Sequence, residues 1–436
     1  MSTLEEALDA TRIGGRLGLA LLLCGLVMVI DGYDLTAMPL AVPHIVRLWG
    51  IAPGSFGVAL SAVLVGLGIG AVFVAPLGDR HGRRLLITAS TVAIGLTTLG
   101  TATGTGVASF ALWRLLTGVA LGACLPNVTA LVTELAPRRR RAGVLTIVSC
   151  GVSIGGMAAG FVAPPLVGLG GWQMIFVASG VGTLAIAAVL LVVLPESPKL
   201  LLARGDHARL AAFCARANVP YDPKWTVAGT PAQGPRLSLL APLGARHRFA
   251  TFVFAGLYTV NALALYMLTS WLPTLLPQAG FAIDQGARLT SLLQGGGLIG
   301  GLALSFFLDR GRTVAALAGA YLIVALGLVA FSAVPATPAG WGVLLLIVGG
   351  GIAGAHLAIM AVGTSFYPPQ MLSAAIGLAV AVARLGAIAG PLLGGWLISM
   401  GLGAAPFLLA MLVPVLICAV GVTLIPAARR TNIQES

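Results

Sequence analysis

Long apolar runs, separated by short polar stretches, dominate the pattern along this chain. A hydrocarbon core of about 30 Å takes roughly 20 apolar residues per helical crossing. Twelve runs qualify: 17–45, 55–77, 85–104, 108–135, 143–167, 172–194, 248–277, 284–308, 313–333, 341–364, 374–400 and 405–425. The ten-residue alternating segments of a membrane barrel are absent, so the pattern predicts an all-α bundle. The first run is too long for the core of a cleaved leader and is followed by no small-residue cleavage site, so it counts as the first membrane helix.

Composition sharpens the picture. Of the 436 residues, 58% are hydrophobic and only 9% charged, and the mean hydropathy is +1.01; a water-soluble chain of this size would need far more charge to cover its surface. A net charge of +12 raises the possibility of a nucleic-acid surface, but its distribution excludes it. With both termini placed in the cytoplasm, 21 of the 25 Lys and Arg residues fall on that side, among them Arg12, Arg16, the 138–141 arginine run and Arg236, Arg429 and Arg430 in loop and tail. Only Arg47 and Arg288 fall on the other side. This positive-inside bias orients the protein. The five cysteines show no metal-ligand spacing, and four lie in apolar runs, where Cys acts as a small hydrophobe.

The polar stretch 195–247 divides six helices from six, giving an N-terminal bundle (1–194), a cytoplasmic central loop (195–247) and a C-terminal bundle with a short tail (248–436). The two bundles repeat each other. Asp79 of GDRHGRR and Asp309 of LDRGRT are 230 residues apart, as are Asp31 and Asn261. Glu134 and Ser365 are 231 apart, and in that register Pro137 matches Pro368 and Gly155 matches Gly386. A duplicated six-helix unit in parallel topology is a transporter signature, with the ligand site expected between the bundles near the midplane.

Charges inside the apolar runs mark candidate chemistry. Asp31 lies about 21 Å along the first helix from Leu17, and Asp34 one turn further out. An ionised carboxylate at a helix centre costs about 2.5–3.5 kcal/mol to insert. Desolvation favours the neutral acid and a nearby cation the carboxylate, so such a group can take up a proton on one side and release it on the other. Arg114, in the fourth run with Gly118 and Gly122 on its face, is the natural partner. Arg384 has no acidic residue in its own helix or in helices seven, ten and twelve, and its repeat counterpart is the neutral Ser153. Its planar fork matches a carboxylate bidentately. Asn261, Tyr266, Tyr33 and Gln294, with Tyr258 nearby, are softer candidates for contacting a planar, hydroxylated ring. Trp271 is read as an interface anchor and His356 as a packing residue.

Several motifs carry a resemblance. APLGDRHGRRLL resembles the loop signature G-x-x-x-D-R-x-G-R-R of the major facilitator superfamily, with Ala75 in place of the first glycine, and RLLTGVALG resembles its helix-four pattern. DGYD, WLPTLL and ARLGAIAGPLLGGW are similar to segments of the aromatic acid:proton symporter family, which usually carries an arginine near position 373, where this chain has Ser373. The resemblance implies the major facilitator fold, with twelve transmembrane helices in two pseudo-symmetric bundles and both termini cytoplasmic. It also implies proton-coupled import of an aromatic carboxylate, such as a hydroxybenzoate, across a bacterial inner membrane. Protonating a helix-one aspartate would release Arg114. Asp79, Arg80, Arg83, Arg84, Glu134, Arg141, Glu196, Asp309 and Arg312 would form a cytoplasmic gate network. The substitution at 373 leaves dicarboxylate, muconate-like or nicotinate-like cargo, exchange and efflux as alternatives.

GGGLIG (295–300) matches the dinucleotide fingerprint, but it lies in an apolar helix without a preceding strand and reads as close helix packing. No Walker motif, catalytic triad or metal spacing occurs. The expected partners are therefore a small organic anion, protons and the bilayer, with no cofactor, no metal, no nucleic acid, no obligatory protein partner and no enzymatic activity.

Overall fold

Each apolar run forms a helix in the computed structural model, which describes residues 3–9, 14–217, 219–225 and 241–433. Arg12 and Arg236 lie outside these residues, and the side chains of Ser373 and Arg430 outside the described side chains. Among the described residues, twelve helices are long and apolar enough to cross a membrane: α1 Gly15–Trp49, α2 Pro53–His81, α3 Arg83–Ala102, α4 Val107–Leu135, α5 Arg138–Gly170, α6 Gln173–Val193, α7 Arg248–Gln278, α8 Ile283–Asp309, α9 Thr313–Ala333, α10 Pro338–Phe366, α11 Ala374–Ser399 and α12 Ala404–Val422. In hydrocarbon no water can satisfy backbone groups, so every span must close its hydrogen bonds internally. Large apolar side chains such as Phe73, Ile147, Val192 and Val420 point outward. In water such a surface would drive association; in lipid it is solvated. The protein is a multi-pass membrane protein.

Contacts group the chain into two units. The first comprises Met1–Asp34, Val65–Gly155 and Gln173–Gln233; the second comprises Leu35–Leu64, Gly156–Trp172 and Gly234–Ser436. Within the first, α3 packs on α4 and α6; within the second, α8 packs on α10 and α7 on α11.

The duplication is written into these contacts. A Cβ on Gly66 would strike the Leu115 carbonyl, and one on Gly296 the Leu346 carbonyl. Gly70 faces the Val119 carbonyl, as Gly300 faces that of Gly350; Gly155 faces Val29, as Gly386 faces Thr259. Every position in the second unit is its counterpart shifted by 230 or 231 residues. Backbones approach this closely only where a side chain is missing. Gly296, Gly297 and Gly300 of GGGLIG thus lie in α8 against α10, as Gly66 and Gly70 of α2 lie against α4.

At Gly70–Val74, α2 passes through a π turn. Asn127 of α4 donates its amide to the Ala75 carbonyl just beyond it, at 3.0 Å, supplying a partner next to the disturbed ladder. Trp271 is fully buried, against Gly394 and Gly395, and its Nε1 donates to the Pro391 carbonyl at 2.9 Å. It is a core residue, not an interface anchor: two adjacent glycines on α11 leave a slot as deep as an indole. The sequence reading also passed over a short N-terminal helix, Leu4–Asp9, which buries Leu4, Ala7 and Leu8. Its acids face a basic surface, with Glu5 paired to Arg138 and, at 2.6 Å, to Lys199.

Candidate functional site

In the first unit, Arg114 takes Asp34 as its partner. Nη1 donates to Oδ1 at 3.0 Å and Nη2 to Oδ2 at 2.6 Å, while Nη2 also reaches the Asp34 backbone carbonyl at 3.1 Å. Both side chains are wholly buried. Thr98 of α3 adds a hydroxyl donor to Oδ1 at 3.0 Å. This is the planar fork matched to a carboxylate, with one further bond filling a remaining lone pair. Asp31, one turn earlier, is 2% exposed. Of the two aspartates, the outer one holds the arginine. Tyr33, between them, keeps its hydroxyl buried without a hydrogen-bond partner among the described residues.

In the second unit, α7, α9, α10 and α11 assemble a polar cluster. Tyr321 donates to Asn261 Oδ1 at 2.8 Å. Asn261 Nδ2 lies 3.2 Å from the Ile352 carbonyl and 3.2 Å from His356 Nδ1. The His356 ring stacks on Tyr258, centroids 4.4 Å apart and planes 19° apart. Arg384, part-exposed on α11, acts electrostatically on both rings. Its guanidinium makes no hydrogen bond or ion pair among the described residues. The close seat of Gly386 and Gly390 on the α7 backbone sets the spacing of these two helices. Tyr266 is part-buried on α7, and the Gln294 amide lies over Gly156 of α5. Asn261, Tyr266, Gln294 and Arg384 therefore share the second unit, whereas Tyr33 belongs to the first.

The charged loop residues form a third cluster, within the first unit. Gly82 takes φ 121°, a conformation that favours glycine, and its missing Cβ leaves room for the Glu196 carboxylate. Glu196 Oε1 then accepts from the backbone N–H groups of Arg83 and Arg84 at 2.9 and 3.1 Å, capping the N-terminus of α3, where free donors and the helix dipole favour an anion. Arg83 bridges Asp79 at 3.2 Å and Glu134 at 3.0 Å, and Ser197 donates to Glu134 at 2.5 Å. Arg84 and Arg204 donate to the carbonyls of Leu191 and Arg80. Arg141 keeps its Nε buried without a hydrogen-bond partner among the described residues. In the second unit Asp309 and Arg312 are exposed and form no ion pair among the described residues.

The hub of the loop cluster is Glu134, whose side chain is 11% exposed, whereas that of Asp79 is 73% exposed. Exposed pairs contribute about 0–1 kcal/mol, and removing a charged partner from a part-buried one costs about 1–3 kcal/mol. Glu134→Gln is accordingly expected to lower the Tm of the detergent-purified protein more than Asp79→Asn. Melting curves of both variants check this, and the opposite order would show that the buried hub is not what holds the cluster.

Residues 23–380 match the family model described as Major Facilitator Superfamily. The chain belongs to the major facilitator superfamily. A gallate transporter of Pseudomonas putida is 32% identical over 413 residues, covering 94% of this chain and 91% of its own. The 4-hydroxybenzoate transporter PcaK of Pseudomonas aeruginosa is 32% identical over 423 residues, covering 92% and 91%. A crystal structure of a bacterial homologue of the human lysosomal transporter Spinster superposes with TM-score 0.70 at 18% identity, covering 96% of this chain and 98% of that one.

Major facilitator proteins are transporters rather than enzymes. Sequence reasoning overlooked Thr98, Ser197 and Tyr321. Each is an ordinary residue in its own segment and gains a role only through a partner from another helix.

Proposed function

We propose that this protein imports an aromatic carboxylate, of the hydroxybenzoate kind, together with protons, by alternating access across a bacterial inner membrane with both termini cytoplasmic. Its moving parts are the six-helix bundles 1–194 and 248–436, joined by the 195–247 loop. The observation that carries the reading is Arg384: a guanidinium about 15 Å into α11, with no ion pair among the described residues, in a transporter whose relatives carry gallate and 4-hydroxybenzoate. An uncompensated cation at membrane depth wants an anionic ligand. Tyr258 beside it supports a planar ring. Proton coupling rests on Asp34 and Arg114: protonating the carboxylate removes the charge that holds the guanidinium, and Asp31 is a second acid one turn away.

The test is uptake of a panel of labelled aromatic acids by the purified protein in proteoliposomes, with and without an imposed pH gradient. Accumulation above the external concentration with an alkaline interior, abolished by a protonophore, is expected. Uptake that ignores the gradient would defeat the coupling, and no uptake of any ring carboxylate would defeat the substrate class.

A further inference from the structure

We propose that His356 is a substrate-positioning residue, a neutral imidazole with its proton fixed on Nε2 that donates to a ring oxygen of the acid whose carboxylate lies on Arg384. The proposal deepens the aromatic-carboxylate reading and rests on it.

Asn261 determines the tautomer. One atom of its amide lies 3.2 Å from the Ile352 carbonyl. A carbonyl oxygen only accepts, so that atom is the nitrogen, and the amide oxygen takes the Tyr321 hydroxyl at 2.8 Å. The same nitrogen stands 3.2 Å from His356 Nδ1. An amide nitrogen only donates, so Nδ1 accepts and the imidazole proton resides on Nε2. A doubly protonated ring would set N–H against N–H in the field of Arg384. Stacking on Tyr258 at 4.4 Å holds the plane of the ring. His356 is part-exposed, and no described residue accepts from Nε2. That donor is committed in direction and unspent.

The duplication argues that this cluster serves cargo rather than fold. In the register set by the glycine contacts, Tyr258, His356 and Arg384 correspond to Met28, Leu125 and Ser153. The equivalent helix packing in the first unit needs none of the three polar groups. A hydrogen-bonding group built to meet a hydroxyl discriminates against a ligand that lacks one, because the donor is then left unpaired.

The experiment compares benzoate with 4-hydroxybenzoate as competitors of labelled 4-hydroxybenzoate uptake in proteoliposomes. Wild type is expected to favour the hydroxylated acid. His356→Phe keeps a flat ring and should reduce that preference about tenfold, chiefly through KM. His356→Gln restores a donor near Nε2 and should keep it. Nitrogen NMR of histidine-labelled protein gives an independent readout: the signal missing from His356→Gln, one of five histidines, should show a bare Nδ1 and a protonated Nε2. An unchanged preference in His356→Phe, or a proton on Nδ1, overturns the proposal and leaves the carboxylate reading intact. Failure of both acids to compete in wild type removes the aromatic-carboxylate reading and this one with it.

Discussion

Asp34→Asn is expected to abolish accumulation against a concentration gradient, bringing the internal-to-external ratio of substrate to about one, and to destabilise the fold at the same time. The two effects have one cause. Asp34 and Arg114 are both wholly buried, and removing one member of a buried pair strands the other charge, a loss of about 3–5 kcal/mol. The backbone carbonyl of residue 34 still accepts from the guanidinium, so some solvation survives and the loss should sit at the lower end. The double variant Asp34→Asn with Arg114→Gln separates the effects. With both charges gone the stranded-charge penalty disappears, and the melting temperature should recover most of the way. Accumulation should not recover, because no titratable group remains at that position. Proteoliposome uptake under an imposed pH gradient and thermal melts of the three proteins check the pattern. Full accumulation by either variant would assign coupling to another group, with Asp31 first in line. Arg114→Gln alone is expected to be at least as destabilising, since it leaves an anion among apolar helices.

That Arg114 pairs with Asp34 rather than Asp31 could not be read from sequence. The two acids are three residues apart on one helix face, and what decides between them is the azimuth at which α4 and the Thr98 of α3 meet that face. The spans themselves were legible, because 20-residue apolar runs have no other stable solution in lipid. Their ends were not: α1 covers Gly15–Trp49 against an expected 17–45, since outside the hydrocarbon apolarity no longer limits a helix. The helix Leu4–Asp9 escaped notice because six residues are too few for a periodic signal, although LEEALD spaces Leu4, Ala7 and Leu8 on one face. The duplication was legible from loop charges and a few glycines, and the backbone contacts at Gly66, Gly70 and Gly155 repeat at Gly296, Gly300 and Gly386.

The repeat also shows where the two copies part. Asp34 and Arg114 correspond to Ala264 and Leu345, so the buried ion pair exists in one copy only. Arg384, His356 and Tyr258 exist only in the other. Asp31 and Asn261 share a register position and are both buried. In the second unit that position ties three helices together through an amide. The packing is thus common property, while the chemistry is divided: a buried ion pair on one copy, a cationic and hydrogen-bonding cluster on the other. Coupling under the proposed function then requires both copies, and substitutions on one should alter proton dependence separately from cargo affinity.

The sharpest instance is Arg384. Arg384→Lys keeps the charge and loses the fork, so a carboxylate that took two parallel bonds is left with one. Hydrogen bonds to charged groups contribute about 1.5–3 kcal/mol each, and 1.4 kcal/mol is tenfold in affinity. The lysine variant should therefore raise the KM for an aromatic acid at least about tenfold, and Arg384→Gln should reduce uptake to background. Folding should be affected little, because the guanidinium makes no hydrogen bond or ion pair among the described residues and its repeat counterpart is Ser153. This sets it apart from Arg114, where loss of the charge should harm stability and transport together. The methyl ester of the same acid is the control: lacking the carboxylate, it should compete poorly with wild type and no worse with Arg384→Lys. A lysine variant with wild-type KM for the acid would remove the bidentate contact, and one whose KM rises equally for acid and ester would show that Arg384 shapes the cavity instead of reading the anion.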